Sequence, residues 1–166
     1  MCLTLLIEIF CGGLYLQEFP DRSRRLLDAV NVIGADNIVV YDRFKSGASS
    51  WQSVRDLNVK IETGFDYLDS KYFYQQGKAH LSVTSVDGLK TMFSRRTLEL
   101  IASGAKVIDL TNNKNKNLLS DFVIQACNKK DVQTALSQAK PNIDFDYLLE
   151  NYSTKSFIKN MERYLS

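Results

Sequence analysis

The sequence predicts an α/β protein: a Rossmann-like, doubly wound parallel sheet with helices on both faces, in a single domain over residues 1–166. Strand-like apolar runs alternate along the chain with amphipathic helical segments, and short polar turns separate them. The first apolar run, residues 3–10, is nearly continuous, which is typical of a parallel strand covered on both faces. In such a sheet, ligands bind at the carboxyl ends of the strands.

In the first half of the chain, the strand over 3–10 ends in a turn at Gly12-Gly13. Pro20-Asp21 opens a helix with Asp21 as its N-cap, and Gly34 ends it. At least two of the helix's three arginines are expected to be solvated; these are Arg22, Arg24 and Arg25. The next predicted elements are a strand over 37–41, a helix over 51–57, a strand over 59–61 and a helix over 66–76.

In the second half, a strand over 79–84 precedes a loop and a helix that begins at Ser94 and stops at Gly104. Further strands are predicted over 106–110 and 122–125. Asn128 caps an amphipathic helix that Pro141 closes. The tail, residues 143–166, holds two more helical segments, the second capped near Ser153 and carrying an apolar stripe that needs a partner surface.

Length, composition and charge argue against several classes of protein. With 45% hydrophobic and 24% charged residues, 166 residues suit one globular domain rather than a disordered or fibrous chain. The formal net charge of +2 gives no indication of a nucleic-acid partner. Three cysteines and one histidine show no metal-ligand spacing, so we expect no metal site and a reducing, cytoplasmic compartment. The apolar N-terminus lacks a basic leading region and contains Glu8, so we expect a buried strand and no membrane span.

Two arginines in the first turn of the helix at Ser94 indicate an anion site. Unpaired backbone N–H groups and the positive end of the helix dipole favour a bound anion there. Arg95 and Arg96 oppose the dipole, a conflict that a bound phosphate would resolve, and the arginine fork suits phosphate oxygens. The alternatives are that both are solvated, or that one pairs with Asp87 or Glu99.

Glu99 lies one turn inside the same helix, where a carboxylate can accept hydrogen bonds from the vicinal hydroxyls of a ribose. Its alternative role is that of a surface carboxylate paired with Arg95 or Arg96. Gly12-Gly13 is a second candidate phosphate contact, because glycine lets the backbone approach a ligand, although a plain turn explains the pair equally well.

His80 is the only histidine and is predicted on a strand, where a structural role is favoured over that of a general base. The chain contains no P-loop lysine motif, no HExxH motif and no arrangement that suggests a Ser-His-Asp triad. Hydrolase and kinase functions therefore have no support in the sequence.

Residues 96–105, Arg-Thr-Leu-Glu-Leu-Ile-Ala-Ser-Gly-Ala, resemble the R-x-x-E-x-x-A-x-G signature in the C-terminal donor domain of GT-B glycosyltransferases, and the match looks closest to the CgeB-like branch. Three further features agree in order: Gly-Gly-Leu-Tyr at 12–15 with the arginine-rich segment 22–25, the segment 67–74 ahead of the strand 81–84, and the final helix 153–165. The resemblance covers most of the chain, and the arginine-to-glycine stretch is its one specific motif.

The resemblance implies a domain that binds a nucleotide-diphosphate sugar as donor substrate, without a cofactor and without a required metal. It places Glu99 at the ribose, Arg96 and Arg95 near the diphosphate, and the loop over 87–90 near the sugar. The full set of expected donor-binding residues is Gly12, Gly13, Asp87, Gly88, Ser94, Arg95, Arg96 and Glu99. Many GT-B enzymes carry an acidic residue eight positions before the ribose glutamate. Thr91 occupies that position here, so no role of that carboxylate carries over and the catalytic residues stay unassigned.

GT-B enzymes place the acceptor, and often the catalytic base, on a separate N-terminal Rossmann-like domain. The 166 residues supply one such domain, so the resemblance implies half an enzyme that works with a further domain or a separate subunit. The helices over 143–166 would then pack on that partner, although packing on the chain's own sheet is the simpler explanation. The alternative functions are a non-catalytic α/β module whose arginines bind a protein, and a small nucleotide-dependent enzyme that acts alone.

Overall fold

The computed structural model of the chain describes residues 8–11, 14, 17–42, 51, 57–84, 94–112, 119–153 and 155–156. Within these residues the strands are β1 (Glu8–Cys11), β2 (Ile38–Asp42), β3 (Lys60–Thr63), β4 (His80–Val83), β5 (Val107–Leu110) and β6 (Ile124–Ala126). The helices are α1 (Pro20–Ile33), α2 (Ser70–Tyr74), α3 (Arg95–Ala102), α4 (Lys129–Ser137) and α5 (Phe145–Tyr152). Short 3-10 turns cover Ala35–Asn37, Tyr67–Asp69 and Ser120–Phe122.

The six strands form one sheet in the order β3-β2-β1-β4-β5-β6. Every neighbouring pair is parallel, with Phe10 opposite Val40 on one side and opposite Leu81 on the other. This is the Rossmann order, in which the chain builds one half of the sheet outward from β1 and then returns to build the other half from β4. The predicted Rossmann-like parallel sheet is confirmed.

Helices cover both faces of the sheet. On one face α1 and α4 enclose a core that includes Phe10, Leu81 and Ile108. On the other face α3, Tyr74 of α2 and Leu148 of α5 enclose a second core with Ile9 and Val107. Neighbouring residues of one strand thus serve opposite cores, because successive side chains of a strand point to opposite faces. This explains why β1 and β2 carry apolar residues at consecutive positions, as at 9–11 and 38–41.

Several predicted boundaries agree with the structure through an identifiable contact. Asn128 caps α4, since its side chain accepts a hydrogen bond from the N–H of Asp131 at 3.0 Å. Gly104 follows α3 with a φ of +75°, a backbone conformation that glycine adopts without steric cost. Ser153 Oγ accepts from the N–H of Ser156 at 3.1 Å, as an N-cap would.

The start of α1 differs from the prediction. The helix begins at Pro20, with Phe19 in the N-cap position and no side-chain cap, so Asp21 as N-cap is wrong. Proline fits the first helical position because its φ is already helical and its missing N–H would have no partner there. Asp21 instead contributes a carboxylate to the first turn, which the helix dipole favours.

Other predicted elements are shorter or shifted. The helix over 66–76 is a 3-10 turn, Tyr67–Asp69, followed by the five residues of α2. The strand over 122–125 lies later, at Ile124–Ala126, because the N–H of Phe122 closes a turn on the carbonyl of Leu119 at 3.0 Å. α4 ends at Ser137, ahead of Pro141. Residues 52–56 of the predicted helix over 51–57, and most of the helix after Ser153, lie outside the described residues.

Candidate functional site

The strand order puts a topological switch point at the carboxyl ends of β1 and β4, and the region outside these two strand ends is called the crevice. These two neighbouring strands lead into helices on opposite faces of the sheet, α1 and α3. In open α/β sheets this topological switch point is where ligands bind. The predicted donor-binding residues all belong to the segments that follow β1 and β4 in the chain.

Four of those residues, Gly12, Gly13, Asp87 and Gly88, lie outside the described residues. Their predicted contacts with phosphate and sugar therefore stay predictions. The other four, Ser94, Arg95, Arg96 and Glu99, lie at the start of α3 or inside it, and their surroundings are described.

Ser94 is the N-cap of α3, which agrees with the predicted start of this helix. Its hydroxyl accepts a hydrogen bond from the N–H of Thr97 at 3.1 Å and shares another with the Thr97 hydroxyl at 2.9 Å. The Thr97 hydroxyl in turn shares a 2.6 Å hydrogen bond with Ser82 of β4. Because Thr97 and Ser82 are buried, these hydrogen bonds between hydroxyls hold the first turn of α3 against β4, a strand beside the crevice. Nothing in the sequence pattern marks Thr97 or Ser82 as residues of the site.

Arg95 is engaged with side chains of its own domain. Its Nε donates to Oε1 of Glu99 at 2.7 Å, and its guanidinium carbon lies 5.0 Å from the centre of the Tyr67 ring. The hydrogen bond with Glu99 is the largest cause, and a hydrogen bond with Tyr67 the second, that raises the pKa of Arg95 above its ordinary value. Of the two pairings that the sequence left open for Glu99, the structure forms the one with Arg95.

Glu99 has a second donor that the sequence pattern does not predict. The hydroxyl of Tyr74, the last residue of α2, donates to Oε2 of Glu99 at 3.2 Å. Tyr74 lies in the segment 67–74 that carries part of the family resemblance, but the periodicity of that segment gave no reason to single it out. The contact joins α2 to α3, and so only the packing of these helices discloses it.

Arg96 is placed differently from its neighbour. Its side chain is exposed, and it forms no ion pair with any other residue that the structure describes. Successive helix residues point about 100° apart, so Arg95 faces Glu99 while Arg96 faces solvent. Arg96 therefore has a guanidinium available for a ligand.

Arg22 and Arg25 are buried, each 8% exposed, so the expectation that at least two of the α1 arginines are solvated is wrong. Arg25 donates to the carbonyl of Thr84, directly after β4, at 3.0 Å, and to the carbonyl of Leu110, the end of β5, at 3.2 Å. Arg22 lies 6.0 Å from the ring centre of Phe10. Positions 22 and 25 lie on the same face of α1 as its buried apolar residues. This helical spacing is the feature of the sequence from which their burial could have been predicted.

His80 is a core residue, 1% exposed, on the face of β4 that α3 covers. Burial lowers the pKa of His80 from 6.5 to about 4, while a hydrogen bond with the backbone of Tyr74 acts in the opposite direction. The imidazole is neutral at physiological pH and faces away from solvent. This environment suits the predicted structural role.

A cavity of about 470 Å³ lies at the other end of the sheet, where the segments that precede β4 and β5 meet. Three lysines line it, and two of them are bonded to carbonyls near helix ends. Lys106 Nζ donates to the carbonyls of Leu136 and Gln138 at 3.0 and 2.7 Å, and Lys140 Nζ donates to that of Gly104 at 2.9 Å. Lysines often cap helix C-termini in this way, which gives these two a structural role.

No cluster of three or more histidine, cysteine, aspartate or glutamate side chains suited to a metal ion occurs among the described residues. In the same part of the chain, no helix has the length and apolarity needed to cross a membrane.

Comparison with protein-family models and with characterised protein sequences finds no match. The solved structures that match this chain include the following two. One is the catalytic domain of cholesterol-alpha-glucosyltransferase from Helicobacter pylori, with a TM-score of 0.42 and 18% identity over 93% of this chain and 94% of that one. The other is the GtfA/B complex, with a TM-score of 0.44 and 11% identity over 97% of this chain but 29% of that one. At these values the likeness does not extend to individual residues.

Proposed function

We propose that this chain is the donor-binding domain of a glycosyltransferase, which holds a nucleoside diphosphate sugar between the carboxyl ends of β1 and β4. One observation carries the proposal: the helix that leaves the topological switch point, α3, bears an available arginine and a partly exposed carboxylate within its first five residues. Such a combination offers one group for phosphate and one for ribose.

Arg96 and the first turn of α3 would bind the diphosphate. Backbone N–H groups at a helix start and the positive end of the helix dipole favour an anion, and the exposed Arg96 adds a full charge. During sugar transfer the departing nucleoside diphosphate gains negative charge, and donors already fixed in place stabilise it without reorganisation. Gly12-Gly13 and Asp87-Gly88 would complete the diphosphate and sugar contacts.

Glu99 would accept hydrogen bonds from the two ribose hydroxyls. Its side chain is 22% exposed, and each of its oxygens already has one donor, from Arg95 or from Tyr74. A carboxylate offers about four acceptor positions, so roughly two stay open for a ligand. Arg95 is held by Glu99 and Tyr67, so it would add positive charge near the diphosphate while Arg96 makes the direct contact.

The acceptor and any catalytic base would lie on a further domain or a partner subunit, as the GT-B resemblance implies. The donor is a substrate, so the proposal requires no resident cofactor. A cytoplasmic location would give the domain access to the nucleotide sugars that it binds.

Calorimetry and thermal shift with UDP, GDP, ADP and their sugars test the proposal. We expect saturable binding of at least one of them. We also expect Arg96→Ala and Glu99→Ala to weaken it about tenfold or more, since a hydrogen bond to a charged group is worth about 1.5–3 kcal/mol.

Arg24→Ala and Glu150→Ala are matched controls, because both side chains are exposed and neither lies on α3. They should leave the affinity unchanged. The proposal fails if no nucleoside diphosphate binds, or if the controls weaken binding as much as the α3 variants do.

A second candidate, a non-catalytic protein-interaction module, is favoured by the exposed apolar side chains beside Arg95. Tyr67, Leu68 and Tyr72 are exposed around the start of α2, and Leu68 is 93% exposed. Neighbouring exposed apolar groups are typical of protein contacts. This function predicts that Arg96→Ala weakens capture of a protein partner while nucleotides have no effect on that capture.

A further inference from the structure

Glu99 is oriented by two donors that differ in rigidity. The Tyr74 hydroxyl donates to Oε2 at 3.2 Å and the Arg95 Nε donates to Oε1 at 2.7 Å. Arg95 is 76% exposed at its side chain, so solvent competes for it. Tyr74 is only 4% exposed. The buried phenol is therefore the fixed member of the pair.

The Tyr74 ring is held on two sides by edge-to-face contacts. The ring centre of Phe65 lies 5.8 Å away at an interplanar angle of 81°, and that of His80 lies 6.0 Å away at 86°. These arrangements are favourable for aromatic pairs. Since β4 carries His80 and the chain just after β3 carries Phe65, the position of the phenol is set by the sheet rather than by α3.

An oriented carboxylate recognises a pair of neighbouring hydroxyls better than a mobile one. Binding to a rotating side chain must first restrict that side chain, which weakens the observed affinity. A carboxylate whose supporting contacts are already made avoids this cost. The remaining acceptor positions of Glu99 then point in fixed directions, and a vicinal diol can match both of them at once.

We propose that Tyr74 is a positioning residue that orients Glu99 for the vicinal hydroxyls of a ribose. The proposal rests on the proposed function, because it assumes that a nucleoside diphosphate occupies the site. It adds a specific property: Tyr74 contributes to the preference for a ribose that has both hydroxyls, and not to diphosphate binding.

The test compares wild type and Tyr74→Phe by calorimetry with UDP and GDP and with their 2′,3′-dideoxy analogues. Removing the phenol oxygen keeps the ring and its packing. We expect wild type to bind the ribose form about tenfold more tightly than the dideoxy form, and Tyr74→Phe to lose most of that preference, with dideoxy binding unchanged within about twofold.

Two controls separate orientation from general structural damage. Tyr72→Phe removes the same atom from an exposed ring of the same helix and should change neither affinity. In a Glu99→Gln background, Tyr74→Phe should have a much smaller effect than in wild type, because residues that act through one contact are not additive.

The outcomes are distinguishable. If wild type binds no nucleoside diphosphate, the proposed function fails and this proposal fails with it. If wild type binds but shows no preference for the diol, or if Tyr74→Phe weakens both forms equally, diphosphate binding stands and the role of Tyr74 is overturned.

Discussion

At the scale of single residues, two adjacent arginines have different surroundings. Arg95 contacts Glu99 and Tyr67, whereas Arg96 points into solvent. Spacing alone allows Glu99 to pair with Arg95 at i, i+4 or with Arg96 at i, i+3. Tyr67 and Tyr74, which come from another part of the chain, favour the first choice because they hold Arg95 and Glu99 on the same side of α3. Arg96, which forms no ion pair with a described residue, is then the better candidate for a ligand.

His80 predicts a specific loss of stability in acid. Burial lowers its pKa to about 4 in the folded protein, against 6.5 as its ordinary value. Between these values the unfolded chain binds a proton that the folded protein does not, so stability falls as the pH falls through this window and is fully retained above it. The loss from this group should reach about 3 kcal/mol.

Urea unfolding at pH 7, 5.5 and 4.5 measures this effect. His80→Gln should be less stable at neutral pH, because it alters a packed site, yet show a weaker dependence of the free energy of unfolding on pH. Carboxylates contribute equally to the pH dependence of wild type and His80→Gln, so the difference between the two pH dependences is due to His80. The same pH dependence in both proteins would contradict the prediction.

At the scale of elements, α3 depends on its first turn. It has eight residues, and a helix this short needs its cap and its packing to form. Ser94 supplies the cap, and the hydroxyls of Thr97 and Ser82 extend it to β4. The site residues of α3 are thus positioned by the strand beside the crevice.

Ser94→Ala and Asn128→Ala form a matched pair for this element. Each removes a capping side chain with a similar bond to a backbone N–H, 3.1 and 3.0 Å long. Urea unfolding should show a loss of about 1 kcal/mol in the free energy of unfolding for Asn128→Ala. The loss should be larger for Ser94→Ala, because the Ser94 hydroxyl also shares a hydrogen bond with the Thr97 hydroxyl.

Nucleotide affinity separates the two variants. α4 follows β6, two strands away from β4, so Asn128→Ala should leave binding unchanged while Ser94→Ala weakens it. Equal weakening by both would mean that loss of stability, and not the start of α3, controls binding.

At the scale of the whole molecule, the site depends on which strands are neighbours. β1 and β4 are far apart in the chain and adjacent in the sheet. Arg25 of α1 then links the ends of β4 and β5 by donating to one carbonyl from each. α1 thereby holds the carboxyl ends of β4 and β5 in place at the edge of the crevice.

Arg25→Met should destabilise the protein by about 2–4 kcal/mol, because it removes charge-assisted hydrogen bonds and leaves buried carbonyls without these donors. Arg24→Met is the control on the same helix. Its side chain is 66% exposed and pairs with Asp21 at the surface, so its loss should cost under about 1 kcal/mol. Thermal and urea unfolding measure both variants, and equal costs would contradict the role given to Arg25.

The sequence by itself determined the class of fold, most of the elements and the start of α3, because these depend on local periodicity and on the chemistry of turns and caps. Ser94, Asn128 and Gly104 act where local rules put them. Only the tertiary structure decided the strand order, the burial of Arg22 and Arg25, and the contact between Tyr74 and Glu99. Each of these joins segments distant in the chain, and contacts of that kind are set by packing of the sheet and helices rather than by neighbours in sequence.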